Sequence, residues 1–184
     1  MENLGYTSVP SLLKYLRHAE QLGLDIDQAL TAAGIKTEDL ADNSKRIPSE
    51  THERLLDHLL KVSADPLFGL HCARFVQPGS WSVLGYITMN CATLGEAMSR
   101  IVPYEKLVGD MGVSRVEAGA DHVRLIWTCR HQAEPIRRHM VENVLASWLL
   151  YARWISDSDS SPREVWFEHA LPEGADSAEY QTIF

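Results

Sequence analysis

The sequence is short of cysteine and of basic charge, and it has neither a long apolar run nor a phosphate-cradling glycine loop. Its three cysteines, Cys72, Cys91 and Cys129, stand far apart in 184 residues. An odd, scattered set makes neither a disulfide framework nor a metal-ligand spacing, so a cytoplasmic location is expected. The opening residues MENLGYTSVPS carry no basic n-region, and Lys14, Arg17 and His18 break the first apolar cluster, which excludes a signal-peptide pattern. No apolar run approaches the roughly 20 residues needed to span a bilayer. Basic residues number 17 against 25 acidic ones, for a formal net charge of -8. A domain that grips nucleic acid itself needs a basic face to neutralise phosphates, and this balance argues against one. Enzyme signatures are missing as well. Gly79-Ser80-Trp81-Ser82 lacks the second glycine of a nucleophile elbow, and no cofactor motif is present.

What is there begins with helices. Leu12, Leu13, Leu16, Ala19 and Leu22 recur at helical spacing behind Ser8 or Ser11 as cap, with Gly23 as a left-handed stop. Asp25 and Gln28 resemble a capping box for a second helix that Gly34 ends. The pair has the outline of a helix-turn-helix. Between Glu20 and Asp42, however, Lys36 is the single basic residue among Glu20, Asp25, Asp27, Glu38, Asp39 and Asp42. A recognition helix sits against phosphates, so an apolar helical hairpin is the better reading. Ser49 is expected to cap the next helix, and Asp65-Pro66 to start another that ends before Pro78-Gly79. Residues 81–90 fit helix or strand equally. Thr93 and Glu96 read as a second capping box, with Pro103 kinking or ending that helix.

The period then changes. Met111–Glu117 and His122–Arg130 flank a short turn and read as a β-hairpin with one buried side, Val123, Leu125, Trp127 and Cys129 facing together. Pro135 starts the longest helix, and Arg163–His169 returns to a strand pattern with Val165, Phe167 and His169 alternating against Trp166 and Glu168. Helices, hairpin, long helix, strand: this order describes an α+β fold, with a helical N-terminal region and a small, mainly antiparallel sheet packed on a long helix. Residues 1–45 form the expected helical hairpin and residues 46–184 the α+β domain. The apolar ending Tyr180–Phe184 reads like the start of an element, which predicts a longer protein; a terminus packed into the core is the competing reading.

Several segments, in order, carry a family resemblance: Arg46-Ile47-Pro48, Asp65-Pro66-Leu67-Phe68-Gly69-Leu70-His71, Leu84-Gly85-Tyr86, Thr93-Leu94-Gly95-Glu96-Ala97, Tyr104, and Val165-Trp166-Phe167-Glu168-His169 with Pro172. Together they resemble the N-terminal, effector-sensing ("arabinose-binding"-type) domain of an AraC-type bacterial transcription regulator. Pro103 departs from that pattern. The resemblance implies no enzyme. It implies a domain that binds a small-molecule effector (an amino acid, fatty acid or similar metabolite), that forms a homodimer, and that controls DNA through a C-terminal helix-turn-helix domain expected beyond residue 184.

The aromatic residues Trp81, Tyr86, Tyr104, Trp127 and Trp148 suit a small-ligand pocket, since each offers a flat apolar wall and most a polar tip; core packing is the plainer role for any one of them. Arg138 could fork onto a carboxylate, and Glu142 could meet a cationic ligand, unless the two simply pair as i,i+4 neighbours. The expected pocket is the face shared by the hairpin and the 136–155 helix, roofed by residues 81–90. His139 and Glu142, three apart, could share a metal with Cys129 and His131, but nothing in the spacing makes three or four ligands converge, so no metal site is assigned. A metal-dependent enzyme and a ligand-free dimerisation module stand as the alternatives.

Overall fold

Helix α1, Val9–Gln21, and helix α2, Ile26–Ala33, form where leucine spacing and stop residues place them. Pro10 occupies the first turn of α1, where no intrahelical N–H is needed, and Gly23 takes φ +73° just past its end. Asp25 caps α2 by accepting the Gln28 N–H at 2.9 Å. The structure, a computed structural model, describes residues 4–184. The first three residues of the segment read above for a leader therefore lie outside the described residues.

Strands β1, Tyr6–Ser8, and β2, Arg46–Pro48, pair antiparallel and lead straight into α1 and into α3, Ser49–Ser63. This pairing changes the expected cap. Pro48 holds the cap position and Ser49 is the first helical residue, its N–H donating to the Gly5 carbonyl at 3.0 Å. Asp65 likewise is not the cap: it stands two residues before the cap position, Leu67, so the helix starts later than expected. Its Oδ1 accepts the Leu67 N–H at 2.9 Å, and α4 runs Phe68–Cys72, followed by a 3-10 turn that ends at Phe75, before Pro78-Gly79. The ambiguous stretch is helical, as α5, Ser82–Met89. In α6, Leu94–Tyr104, Thr93 accepts the Glu96 N–H at 3.1 Å, while the Glu96 carboxylate reaches back to the Ala92 N–H, one residue beyond the box. Pro103 lies in its last turn.

The hairpin is β3, Gly112–Ala118, and β4, Val123–Cys129, with Ser114 opposite Trp127. Only its root is covered. Ser114 and Cys129 are buried, while Val116 and Val123 near the tip are 40% and 57% exposed, so the predicted buried side is buried at one end alone. Helix α7, Ile136–Ser156, crosses behind it, and α8, Ser177–Ile183, buries Ile183. Residues 163–169 are not a strand. They have no ladder partner; Phe167 instead meets the rings of Tyr180 and Phe184 at 5.6 and 5.7 Å. Val165, Phe167 and His169 are nonetheless more covered than Trp166 and Glu168. An extended segment lying on a helix gives the same two-residue alternation as a strand in a sheet.

The larger apolar core joins α1 through α4 to Cys129, Ile136 and Met140, and so runs from the N-terminal helices into the α+β part. Two glycines of the motif set let helices approach. A Cβ on Gly69 would meet the His139 carbonyl oxygen at 2.1 Å, and one on Gly85 the Pro78 carbonyl oxygen at 1.9 Å. Both backbones also bond to α7: Asn143 Nδ2 donates to the Gly69 carbonyl at 3.0 Å, and the Tyr151 hydroxyl to the Gly85 carbonyl at 2.6 Å.

Candidate functional site: an aromatic groove

The free half of the hairpin leaves a groove between it and α7, closed at one end by α5 and α6. Its volume is about 1060 Å³, at the large end of the range for small-molecule sites. Val144, Leu145 and Trp148 of α7 face Leu125 and Trp127 of β4, and Met98 and Ile101 of α6 complete an apolar wall. The 163–169 segment borders the opening. Arg124 lies 5.0 Å from the Trp166 ring centroid, Arg137 bonds Glu168 at 2.5 Å, and Arg163 bonds Asp121 at 3.1 Å. These exposed contacts contribute little, so they border the groove without locking it.

Of the residues singled out from the sequence, Trp81, Trp127, Trp148 and Arg138 line this groove. Tyr86 and Tyr104 do not; they are 56% and 39% exposed and point elsewhere. At the closed end the Trp81 ring lines the groove, while its indole N–H is buried without a hydrogen-bond partner among the described residues. Behind that ring sits Lys14, 4% exposed, its Nζ 5.0 Å from the Trp81 centroid and 3.4 Å from Ser147 Oγ. Burial pushes the Lys14 ammonium down to about 8. Lys14 carried no signal in the sequence, because it falls off the Leu12, Leu16 and Ala19 stripe of α1 and reads as a solvated polar residue.

Glu142, on α7, lies outside the lining and is fully buried. Arg138 Nη1 donates to its Oε1 at 3.0 Å and the Tyr180 hydroxyl does so at 2.5 Å, while burial holds its carboxyl above the usual range. The i,i+4 pairing is thus formed, with a third partner from α8. His139 is not arranged as a metal ligand. Its Nδ1 lies 3.1 Å from the Gly69 N–H and 3.7 Å from Glu142 Oε2, its Nε2 lies 2.9 Å from Arg138 Nη2, and burial pushes its imidazole down to about 3. A neutral imidazole has one lone pair on nitrogen, so it accepts from Gly69 or from Arg138, one at a time. Cys129 and His131 are turned to other contacts; His131 bonds Glu53.

A part-enclosed, mainly apolar groove of this size suits a small ligand. Over residues 23–184 the chain matches the family described as the arabinose-binding domain of AraC transcription regulators, N-terminal. The chain belongs to that family, and is therefore a ligand-sensing regulatory domain. No curated protein matches it. Among the described residues no helix is long and apolar enough to cross a membrane.

Proposed function

We propose that the chain senses a small metabolite in the groove between the hairpin and α7, and that occupancy controls DNA binding by a separate helix-turn-helix domain of the same regulator, acting as a homodimer. The single observation that carries this is the groove itself, with its apolar aromatic wall. The lining favours an effector with a large apolar body, such as an apolar amino acid or fatty acid, and the Trp81, Trp127, Trp148 and Arg138 side chains are its binding residues. An effector shifts the regulator only by binding one of its states better than the other. The half-covered hairpin is the element able to differ between states, because closing it over a ligand buries Leu125 and Trp127 further.

The test is a thermal-shift screen of the chain against amino acids, fatty acids and sugars. A ligand at 100 times its Kd stabilises the fold by about 2.7 kcal/mol, a readily measured rise in Tm. The rise is expected to disappear in Trp148→Ala, provided that variant still unfolds cooperatively. No shift with any class, or a shift unchanged by Trp148→Ala, sinks the assignment.

A further inference from the structure

Beside α4, outside the groove lining, three side chains from separate parts of the chain converge. His18 comes from the last turn of α1, Asp65 from the turn before α4, and His71 from α4 itself. Asp65 Oδ2 lies 3.2 Å from His18 Nε2 and 2.7 Å from His71 Nδ1, and the three atoms all lie within 4.8 Å of one another. The side chains are 8%, 13% and 15% exposed, so the cluster is nearly buried yet reachable. We propose that His18, Asp65 and His71 form a binding site for a divalent transition metal of the zinc class, with a water in the fourth position.

The geometry supports this in three ways. Tetrahedral zinc with bonds of about 2.0–2.1 Å spaces its ligand atoms about 3.3 Å apart, so side-chain adjustments of about an ångström or less admit the ion. Asp65 presents one oxygen only, because Oδ1 is held by the Leu67 N–H at 2.9 Å, leaving Oδ2 as a monodentate ligand. His71 already has the outer partner that a metal-binding histidine uses. Its Nε2 lies 2.6 Å from Glu179 Oε2, which holds the proton there and frees the Nδ1 lone pair for the ion. The His18 ring is positioned by packing, with its centroid 5.0 Å from Phe68 and 6.1 Å from Phe75. Two imidazoles and one carboxylate suit Zn²⁺ or Co²⁺ and suit Mg²⁺ and Ca²⁺ poorly, since those prefer oxygen ligands throughout.

Without a metal the same atoms form a hydrogen-bonded chain. His71 lies between Asp65 and Glu179, with a ring nitrogen against each carboxylate. A bound ion replaces a proton in that chain and joins α1 to α4, with α8 attached through Glu179. The sequence conceals this site because His18 and Asp65 are 47 positions apart.

Calorimetric titration of ZnCl₂ into the chelator-treated 184-residue chain tests the site. One Zn²⁺ per chain is expected, with Co²⁺ also binding and Mg²⁺ and Ca²⁺ failing to compete. His18→Ala and His71→Ala are each expected to weaken Zn²⁺ at least tenfold, and Glu179→Gln, which leaves all three ligands in place, by about tenfold or more. The exposed-site control His122→Ala and the groove variant Trp148→Ala keep wild-type affinity, so failure of the groove assignment does not touch this one. Absence of Zn²⁺ binding at micromolar concentration overturns the proposal. So does stoichiometric binding that survives His18→Ala, His71→Ala and Glu179→Gln in variants whose circular dichroism is native.

Discussion

The Tyr180 hydroxyl of α8 donates a 2.5 Å hydrogen bond to Glu142 Oε1, a carboxylate with no exposed surface in the middle of α7. The same oxygen takes the Arg138 guanidinium at 3.0 Å, while Oε2 has no hydrogen bond among the described residues. The last helix is therefore fixed to the central one through a buried charge as well as through the apolar contact of Ile183 with Leu70 and Ala146.

Removing that hydroxyl leaves a buried carboxylate with one partner fewer. Hydrogen bonds to charged groups contribute about 1.5–3 kcal/mol, and Arg138 remains to offset part of the loss. Tyr180→Phe is expected to lower stability by about 1–2 kcal/mol in urea unfolding, with an unchanged m-value. A variant as stable as the parent would show that α8 is held by its apolar contacts alone.

Three glycines of the family motifs differ in what surrounds them. Gly69 and Gly85 face backbone oxygens that a Cβ would overlap, whereas a Cβ on Gly95 meets nothing nearer than Thr93 Oγ1 at 3.9 Å. Backbone cannot rotate aside as a side chain does. Gly69→Ala and Gly85→Ala are expected to cost about 3 kcal/mol or more, in the range of severe core overpacking. Gly95→Ala, in the first turn of α6, is expected to be neutral or to stabilise by up to about 1 kcal/mol through helix propensity. Equal Tm values for the three alanine variants would contradict the close approaches.

Three buried bases make stability depend on pH, His52 and His139 in one window and Lys14 in another. Burial lowers His52 and His139 from 6.5 to about 3 and Lys14 from 10.5 to about 8. In each case the folded value lies below the unfolded one, so between the two values the unfolded chain binds more protons and stability rises with pH. His52 thus costs stability increasingly as pH falls from 6.5 towards 3, and His52→Phe, which keeps a ring against Tyr15, is expected to unfold at lower pH than the parent. The Lys14 penalty is complete below about pH 8 and is relieved by about 10.5. Lys14→Met is expected to be more stable than the parent by up to about 3 kcal/mol at pH 7, with the difference shrinking as pH rises from 8 to 10.5. A difference that is constant across that range would place the ammonium in contact with solvent.

Much of the fold could be read from short-range signals. The stops at Gly23 and Gly34, the Asp25 cap, the Thr93 cap and the hairpin depend on residues within four or five positions, and each forms as read. The readings that moved share another cause. Ser49 lost its cap role because β1 delivers the Gly5 carbonyl to its N–H, and the 163–169 segment lies on α8 instead of in a sheet. Neither partner is near in sequence.

Sequence by itself determined the family, the helical periods, the change to a hairpin, and the acidic balance that argues against a DNA-gripping surface. These follow from local backbone chemistry and from composition, which need no partner. The tertiary structure alone decided that Trp81, Trp127 and Trp148 share one groove while Tyr86 and Tyr104 face away, because helix periodicity gives a residue's face but not what that face meets. It also decided that Lys14 lies buried behind Trp81, and that His18, Asp65 and His71 meet. Convergence of distant side chains depends on how elements pack, and packing depends on the whole chain at once.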